Sequence, residues 1–140
     1  MSVQTTTHLN FRGTARAALE HYRDVFGGQL QVFTYADAHR TGEGAVADEV
    51  VWGQVESPAG LRVMAFDVPP QRAYDAGRDA VFVSVRGDDA DEITRYFEGL
   101  ADGGVVREAL APSGFSPWYG MVTDRFGVTW VLDVAVAYEG

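Results

Sequence analysis

The chain has 140 residues, 46% of them hydrophobic and 22% charged, and this balance is typical of one folded domain. The lack of cysteine excludes disulfides, a thiolate nucleophile and cysteine-ligated zinc or iron–sulfur sites, and it favours a reducing compartment. Acidic residues outnumber basic ones 20 to 11, and the formal charge of −9 repels phosphate backbones, so nucleic acid is not an expected partner.

The N-terminal segment MSVQTTTHLNF has neither the basic nor the apolar region of a signal peptide. No stretch of the sequence approaches the roughly 20 apolar residues that cross a bilayer. We therefore expect a cytoplasmic protein that has no membrane partner.

The first half of the chain predicts a strand, a helix, a second strand and a hairpin. Residues 3–11 alternate with a period of two, which is typical of a strand. Thr14 is the expected N-cap of a helix over 15–26, where apolar residues recur at helical spacing. A loop rich in glycine and alanine is expected over 36–47. The remaining strands of this half are predicted over 30–35, 49–55 and 61–68.

The same order begins again after a polar linker that ends at Asp79. A strand over 80–86 precedes a helix that Asp88 or Asp89 caps and that runs through Asp102. The apolar residues of the two helices match at a constant offset, and each helix is followed by a glycine pair. The later strands are predicted over 105–110, 119–123 and 128–134.

This repeat predicts an α+β fold of two tandem βαβββ modules within one domain over residues 1–140. Module 1 covers about residues 1–70 and module 2 about 79–136. We expect the two mixed sheets to form a curved cup whose inner wall consists of alternate strand residues. A concave, largely apolar wall with a few polar groups is typical of a small-molecule site.

Alternation along the strands predicts where ligand-binding side chains lie. Trp52 and Gln54 share one face of their strand, and the inward and outward orientations both stay open. Trp118 and Tyr119 end the segment 113–119, which forms either a stacking lid over a planar ligand or ordinary packing. Asp67 and Asp133 recur at the same place in both modules, so we expect a structural role for each. The other predicted inward residues are His8, Asn10, Phe82, Ser84 and Val131.

Three segments carry a family resemblance: HLNFRGTARAALEHYRDVFGGQL, LRVMAFDVPP and WYGMVTDRFGVTWVLDV. They resemble the vicinal-oxygen-chelate superfamily, which contains glyoxalase I, extradiol dioxygenases and bleomycin- and fosfomycin-resistance proteins, and the PhnB-like branch fits best. The resemblance implies the glyoxalase/bleomycin-resistance fold and a homodimer. Because activity varies widely between branches, function does not follow from this fold.

Enzymes of this superfamily hold a divalent metal with His and Glu or Gln. The resemblance places the ligand positions at Thr6, Met64 or Ala65, Ala80 and Val131. None of these side chains is a good metal ligand, so we expect no metal and no other cofactor. A site built from His8 with Asp48 or Glu49 is the less favoured alternative.

Three functions stay open. The favoured one is a protein that binds a small, largely apolar or aromatic molecule in a metal-free cavity. The second is an isomerase or lyase in which His8 is the general acid or base, although the sequence shows no partner that would orient this histidine. The third is a metal-dependent glyoxalase or dioxygenase. The branch also carries a ubiquinone-pathway methyltransferase label, but the sequence has no glycine-rich loop for S-adenosylmethionine.

Overall fold

A computed structural model describes residues 3–39 and 46–136 of the chain. The chain divides into two compact units, Met1–Arg78 and Asp79–Gly140, which we call module 1 and module 2. Each contains a four-stranded sheet and one helix of 12 residues, which confirms the predicted α+β architecture of repeated βαβββ modules. None of the helices in the described ranges has the length and apolarity needed to cross a membrane. The assignment of both modules to one domain stays a prediction.

Module 1 consists of one helix and four strands in the order β1-β4-β3-β2. Strands β1 and β4 are parallel, and the other neighbouring pairs are antiparallel. Residues 40–45 of the predicted loop lie outside the described residues. The elements are β1 (Thr7–Phe11), α1 (Ala15–Phe26), β2 (Gln29–Thr34), β3 (Val50–Glu56) and β4 (Arg62–Asp67).

Module 2 repeats this arrangement with the strand order β5-β8-β7-β6. Its parallel pair is β5 with β8, and its remaining pairs are antiparallel. The first strand begins three residues later than Ala80, where the sequence predicts it. The elements are β5 (Val83–Gly87), α2 (Ala90–Ala101), β6 (Val105–Ala111), β7 (Tyr119–Thr123) and β8 (Thr129–Val134).

Each helix covers one face of its own sheet and buries the apolar side chains between them. The sequence pattern predicts that the helix residues Tyr22, Phe26, Phe97 and Leu100 pack opposite Leu9, Phe11, Val83 and Trp130 on the sheets, and all of these except the half-buried Leu9 are buried. One glycine in the middle of β3 and another in the middle of β7 allow the helix of each module to pack close to its sheet. A Cβ at Gly53 would collide with Leu19, and one at Gly120 would lie 2.8 Å from Cε2 of Phe97. The confirmed core residues are Tyr22, Phe26, Phe97, Leu100, Phe11, Val83 and Trp130.

The two helices begin on different caps. Thr14 is the N-cap residue of α1, as predicted, but its side chain makes no capping hydrogen bond. Instead Asp67 Oδ1 accepts hydrogen bonds from the N–H groups of Gly13 at 2.8 Å and Ala15 at 3.0 Å. Helix α2 is capped locally, as predicted, because Asp89 Oδ1 accepts from the N–H of Asp91 at 2.9 Å. One module therefore caps its helix from the sheet and the other from the adjacent residue.

Asp67 and Asp133 do not occupy the same place, which corrects the expectation from the repeat. Asp67 pairs in register with Phe11, the last residue of β1. Asp133 pairs with Arg86, and Gly87, the last residue of β5, pairs with Val134. Because successive strand residues point to opposite faces, this shift of one residue puts the two carboxylates on opposite faces of their sheets.

Candidate functional site

The face of the module 1 sheet that points away from α1, which we call the open face, gathers several predicted site residues. The alternate residues of the same strands, such as Val63, Ala65 and Val55, are fully buried under α1. The strand register therefore puts Trp52 and Gln54 on the same face of the sheet as His8. The residues of the open face are His8 and Asn10 on β1, Met64 and Phe66 on β4, Trp52 and Gln54 on β3, and Gln31 and Phe33 on β2.

The strand register arranges these side chains in rows across the sheet. An aromatic row contains Phe66, Trp52 and Phe33, and the rings of the last two have centroids 5.7 Å apart. A row of polar groups and one thioether lies beside it, formed by the register partners His8, Met64, Gln54 and Gln31. The open face thus places aromatic rings next to imidazole and amide groups, a combination typical of small-molecule sites.

His8 has an orienting partner that sequence reasoning missed. Its Nδ1 lies 3.0 Å from Oδ1 of Asn10, and its ring meets Phe66 edge-on with centroids 5.3 Å apart. An amide oxygen can only accept a hydrogen bond, so in the Nδ1–H tautomer His8 donates to Asn10 and keeps a lone pair on Nε2. The signal was present in the sequence, since two residues apart on one strand share a face.

A charged row borders the polar one. Glu56 and Arg62 are register partners, and their carboxylate and guanidinium groups are 2.8 Å apart. Gln54 Nε2 donates a long hydrogen bond of 3.5 Å to Glu56, which orients the amide oxygen of Gln54 as an acceptor. Arg62 also donates to Gln4. The charges of this row therefore pair with one another.

The corresponding face of module 2 has different chemistry. Arg86 donates two hydrogen bonds to the buried carboxylate of Asp133, at 3.1 and 2.9 Å. Burial, together with the charge of Glu108 and a hydrogen bond to it, raises the pKa of Tyr119. Ser84 is exposed at the position that pairs with Val131. This face of module 2 thus carries an ion pair and a carboxylate–phenol contact, whereas the open face of module 1 carries aromatic rings and amides.

Phe82 lies just before β5 and is exposed. The guanidinium of Arg107 lies 5.7 Å from the centroid of its ring, and the same guanidinium makes a bidentate pair with Asp79 at 2.7 and 2.9 Å. Phe82 and Arg107 therefore form a cation–π contact within module 2.

Trp118 points to the helix of module 2. Its Nε1 donates a hydrogen bond of 2.9 Å to Thr94 Oγ1 on α2, which favours the packing interpretation for this residue. The buried Ser116 fixes the segment, because its hydroxyl lies 2.8 Å from the carbonyl oxygens of Trp118 and Val134. Phe115 contacts Tyr119 edge-on at 4.9 Å and is 59% exposed, so it is the residue of this segment that suits a lid.

The residues present do not fit the metal site of the superfamily. The register puts Met64 on the open face beside His8, whereas Ala65 is buried under α1. Thioether and aliphatic groups at these positions do not replace a carboxylate. Over residues 3–39 and 46–136, no three His, Cys, Asp or Glu side chains are grouped to hold an ion, including the alternative set of His8 with Asp48 or Glu49.

Comparisons with known proteins agree with the architecture. Protein PA1353 from Pseudomonas aeruginosa is 31% identical, with a TM-score of 0.84 over 96% of this chain and 98% of that one. A PhnB protein from Bacillus cereus is 24% identical, with a TM-score of 0.77 over 95% and 100% of the two chains. Protein YjdN of Escherichia coli K12 is 22% identical over 135 residues, which cover 91% of this chain and 92% of that protein.

A glyoxylase/bleomycin resistance protein/dioxygenase domain from Frankia is similar in fold alone, at 14% identity and a TM-score of 0.68 over 97% and 99% of the chains. Two βαβββ modules with this topology define a protein of the vicinal-oxygen-chelate fold. Within it, the family described as 3-demethylubiquinone-9 3-methyltransferase matches residues 3–132, and the chain belongs to this PhnB-like family.

Proposed function

We propose that this protein binds a small, largely aromatic or apolar molecule against the open face of module 1, without a metal. The observation that carries the proposal is the aromatic row of Phe66, Trp52 and Phe33 beside uncharged polar groups. Phe33 is 51% exposed, so an apolar ligand that covers it would remove a large ring from water.

A planar ligand suits this row better than a flexible aliphatic one. Aromatic rings stack offset or edge-to-face, and such contacts contribute about 0.5–1.5 kcal/mol beyond the area they bury. Tryptophan and phenylalanine have few rotatable bonds, so they lose little conformational freedom on binding. His8, Asn10 and Gln54 at the edge of the row would orient the ligand by hydrogen bonds.

Catalysis by His8 is the second candidate function, and its contact with Asn10 is the observation that favours it. An oriented imidazole with a free Nε2 can act as a general base on a bound molecule, as an isomerase or lyase requires. The family description names a methyltransferase. We do not propose methyl transfer, because the sequence lacks a glycine-rich loop for the methyl donor.

We also propose that two copies associate, as the resemblance to the superfamily implies. Light scattering at micromolar concentration should give twice the mass of 15.2 kDa. A monomer at that concentration would contradict the homodimer. The absence of cysteine also supports a reducing compartment such as the cytoplasm as the place of action.

Titration with 2-naphthol, followed by amide NMR of the labelled protein, tests the proposed site. Binding should shift the resonances of β1, β3 and β4, and Trp52→Ala should weaken it by about tenfold because one stacking surface is lost. Val105→Ala is the control, since Val105 is a 65% exposed apolar residue of β6 in module 2 to which no ligand contact is assigned. Equal weakening by both variants, or shifts confined to module 2, would contradict this location.

A further inference from the structure

We infer that the ligand of the open face carries a hydrogen-bond donor on its aromatic ring, either a ring N–H or a hydroxyl group, and that Asn10 positions His8 to accept it. The inference rests on the proposed function and specifies the class of ligand. It follows from which atoms of the polar row are already engaged.

The first acceptor is Nε2 of His8. The hydrogen bond of 3.0 Å between Nδ1 and Asn10 Oδ1 commits the ring proton to Asn10. No other hydrogen bond to the His8 ring is present among the described residues, and the side chain is exposed on the open face. The lone pair of Nε2 therefore faces solvent on the edge of the ring opposite Asn10.

The second acceptor is Oε1 of Gln54. The amide nitrogen of this residue is directed to Glu56, which leaves the oxygen for a ligand. Met64 lies between His8 and Gln54 in the row, so the two acceptors are two strand spacings apart, about 10 Å. A single ring donor is thus accepted by His8, and a longer molecule with a second donor can also reach Gln54.

The neighbouring charges do not favour an ionic ligand. Arg62 is paired with Glu56 at 2.8 Å, so the row next to the acceptors combines a cation with an anion. Acceptors beside aromatic rings complement a neutral ring that bears a donor. A methylated analogue of the same ring keeps the shape but loses the donor, and this difference makes the inference testable.

Two pairs of probes separate the donor from the ring: indole with 1-methylindole, and 2-naphthol with 2-methoxynaphthalene. Calorimetry should show that the donor-bearing member of at least one pair binds about fivefold tighter, the effect of one net hydrogen bond. The preference should vanish in His8→Phe and Asn10→Leu. It should persist in Asn10→Asp, because a carboxylate still accepts the Nδ1 proton. A preference in only one pair identifies the donor as N–H or hydroxyl.

Long-range proton–nitrogen NMR of the ligand-free protein provides a readout that a purely structural role of Asn10 would not change. In the wild type and Asn10→Asp, Nδ1 of neutral His8 should be the protonated nitrogen, and in Asn10→Leu the Nε2–H form should increase. An Nε2–H ring in the wild type, or equal affinity within both pairs, would overturn the inference alone. If no probe binds, the proposed function fails as well.

Discussion

Asp67 faces helix α1, whereas Asp133 points away from helix α2, although each residue precedes a valine and lies within the last two residues of its module's last strand. The carboxylate of Asp67 accepts hydrogen bonds from the backbone N–H groups of Gly13, Ala15 and Val50, all at 2.8–3.0 Å. Asp133 instead pairs with Arg86. The carboxylate of Asp67 therefore connects three backbone segments of module 1, and that of Asp133 neutralises the charge of Arg86 on the neighbouring strand.

Replacing Asp67 by Asn should destabilise the protein by roughly 2–3 kcal/mol, because the amide group would direct a donor at a buried N–H and remove the charge from the others. The isosteric size excludes a cavity effect. Urea denaturation at pH 7, followed by circular dichroism, would measure the change. Asp67 is 2% exposed, so water cannot replace the lost acceptor.

Asp133→Asn is the matched control for this experiment. The Arg86 side chain is 60% exposed and can be rehydrated when the charge of its partner is removed. We expect a loss below about 1 kcal/mol, because the amide that replaces the carboxylate still accepts a hydrogen bond and Arg86 is open to water. Losses of equal size in the two variants would contradict the separate roles assigned to the two carboxylates.

The sequence predicted most elements because their signals are local. Helix α1 occupies the same residues, Ala15–Phe26, that its apolar spacing indicates. Strand β1 begins at Thr7 and not at Val3, because its first register partner is Val63, near the start of β4 at Arg62. Earlier β-branched residues have no strand beside them, so their propensity alone does not extend the sheet.

Local alternation along the strands also predicted part of the candidate site. Alternation identified the shared face of His8 and Asn10, but not their hydrogen bond. The orientation of Trp52 depended on the register of β3 against β2, and that of Trp118 on a contact with Thr94. The cap supplied by Asp67 to α1 joins residues far apart in the chain, so no local pattern reports it.

Truncation of Phe97 to Ala should destabilise module 2 by about 3–5 kcal/mol, because it removes a buried ring and leaves a cavity. Phe97 is 6% exposed and lies where Gly120 allows α2 to approach the sheet. Phe115→Ala is the control, since that ring is 59% exposed and its loss should change stability by less than about 1 kcal/mol. A Phe97 effect as small as that of the control would show that α2 packs in another register.

Glu49 should make stability depend on pH. Burial first, and then the charges of Asp67 and Asp48, raise the pKa of its carboxyl group. A folded-state pKa above the unfolded value means that the protonated form stabilises the fold, and this contribution is lost as pH rises through the folded pKa.

Glu49→Gln should therefore be more stable than the wild type at pH 7, and the difference should shrink as the pH falls toward about 4, where the unfolded carboxyl also binds its proton. Thermal unfolding of both proteins from pH 4 to 8 measures this difference in stability. Glu20→Gln, on the exposed side of α1, should show no such trend. A gain for Glu49→Gln that grows on acidification would contradict the raised pKa.

Protein purified without an affinity tag should contain far less than one zinc, nickel, iron or manganese ion per chain. The superfamily ligand positions carry Thr6, Met64, Ala80 and Val131 here, and His8 alone cannot supply the further donors that hold an ion. A neutral threonine hydroxyl does not replace a carboxylate at such a site. Elemental analysis by mass spectrometry measures the content directly.

Introducing a metal-ligating carboxylate beside His8 tests the same argument by a gain of metal binding. Met64→Glu places a carboxylate next to His8 on the parallel strand pair of module 1. This variant should take up more zinc or nickel than the wild type, because a carboxylate beside an imidazole supplies two ligands of the kind these ions bind. Near-stoichiometric metal in the wild type, lost in His8→Ala, would instead show that His8 belongs to a metal site and would favour the metalloenzyme over the binding protein.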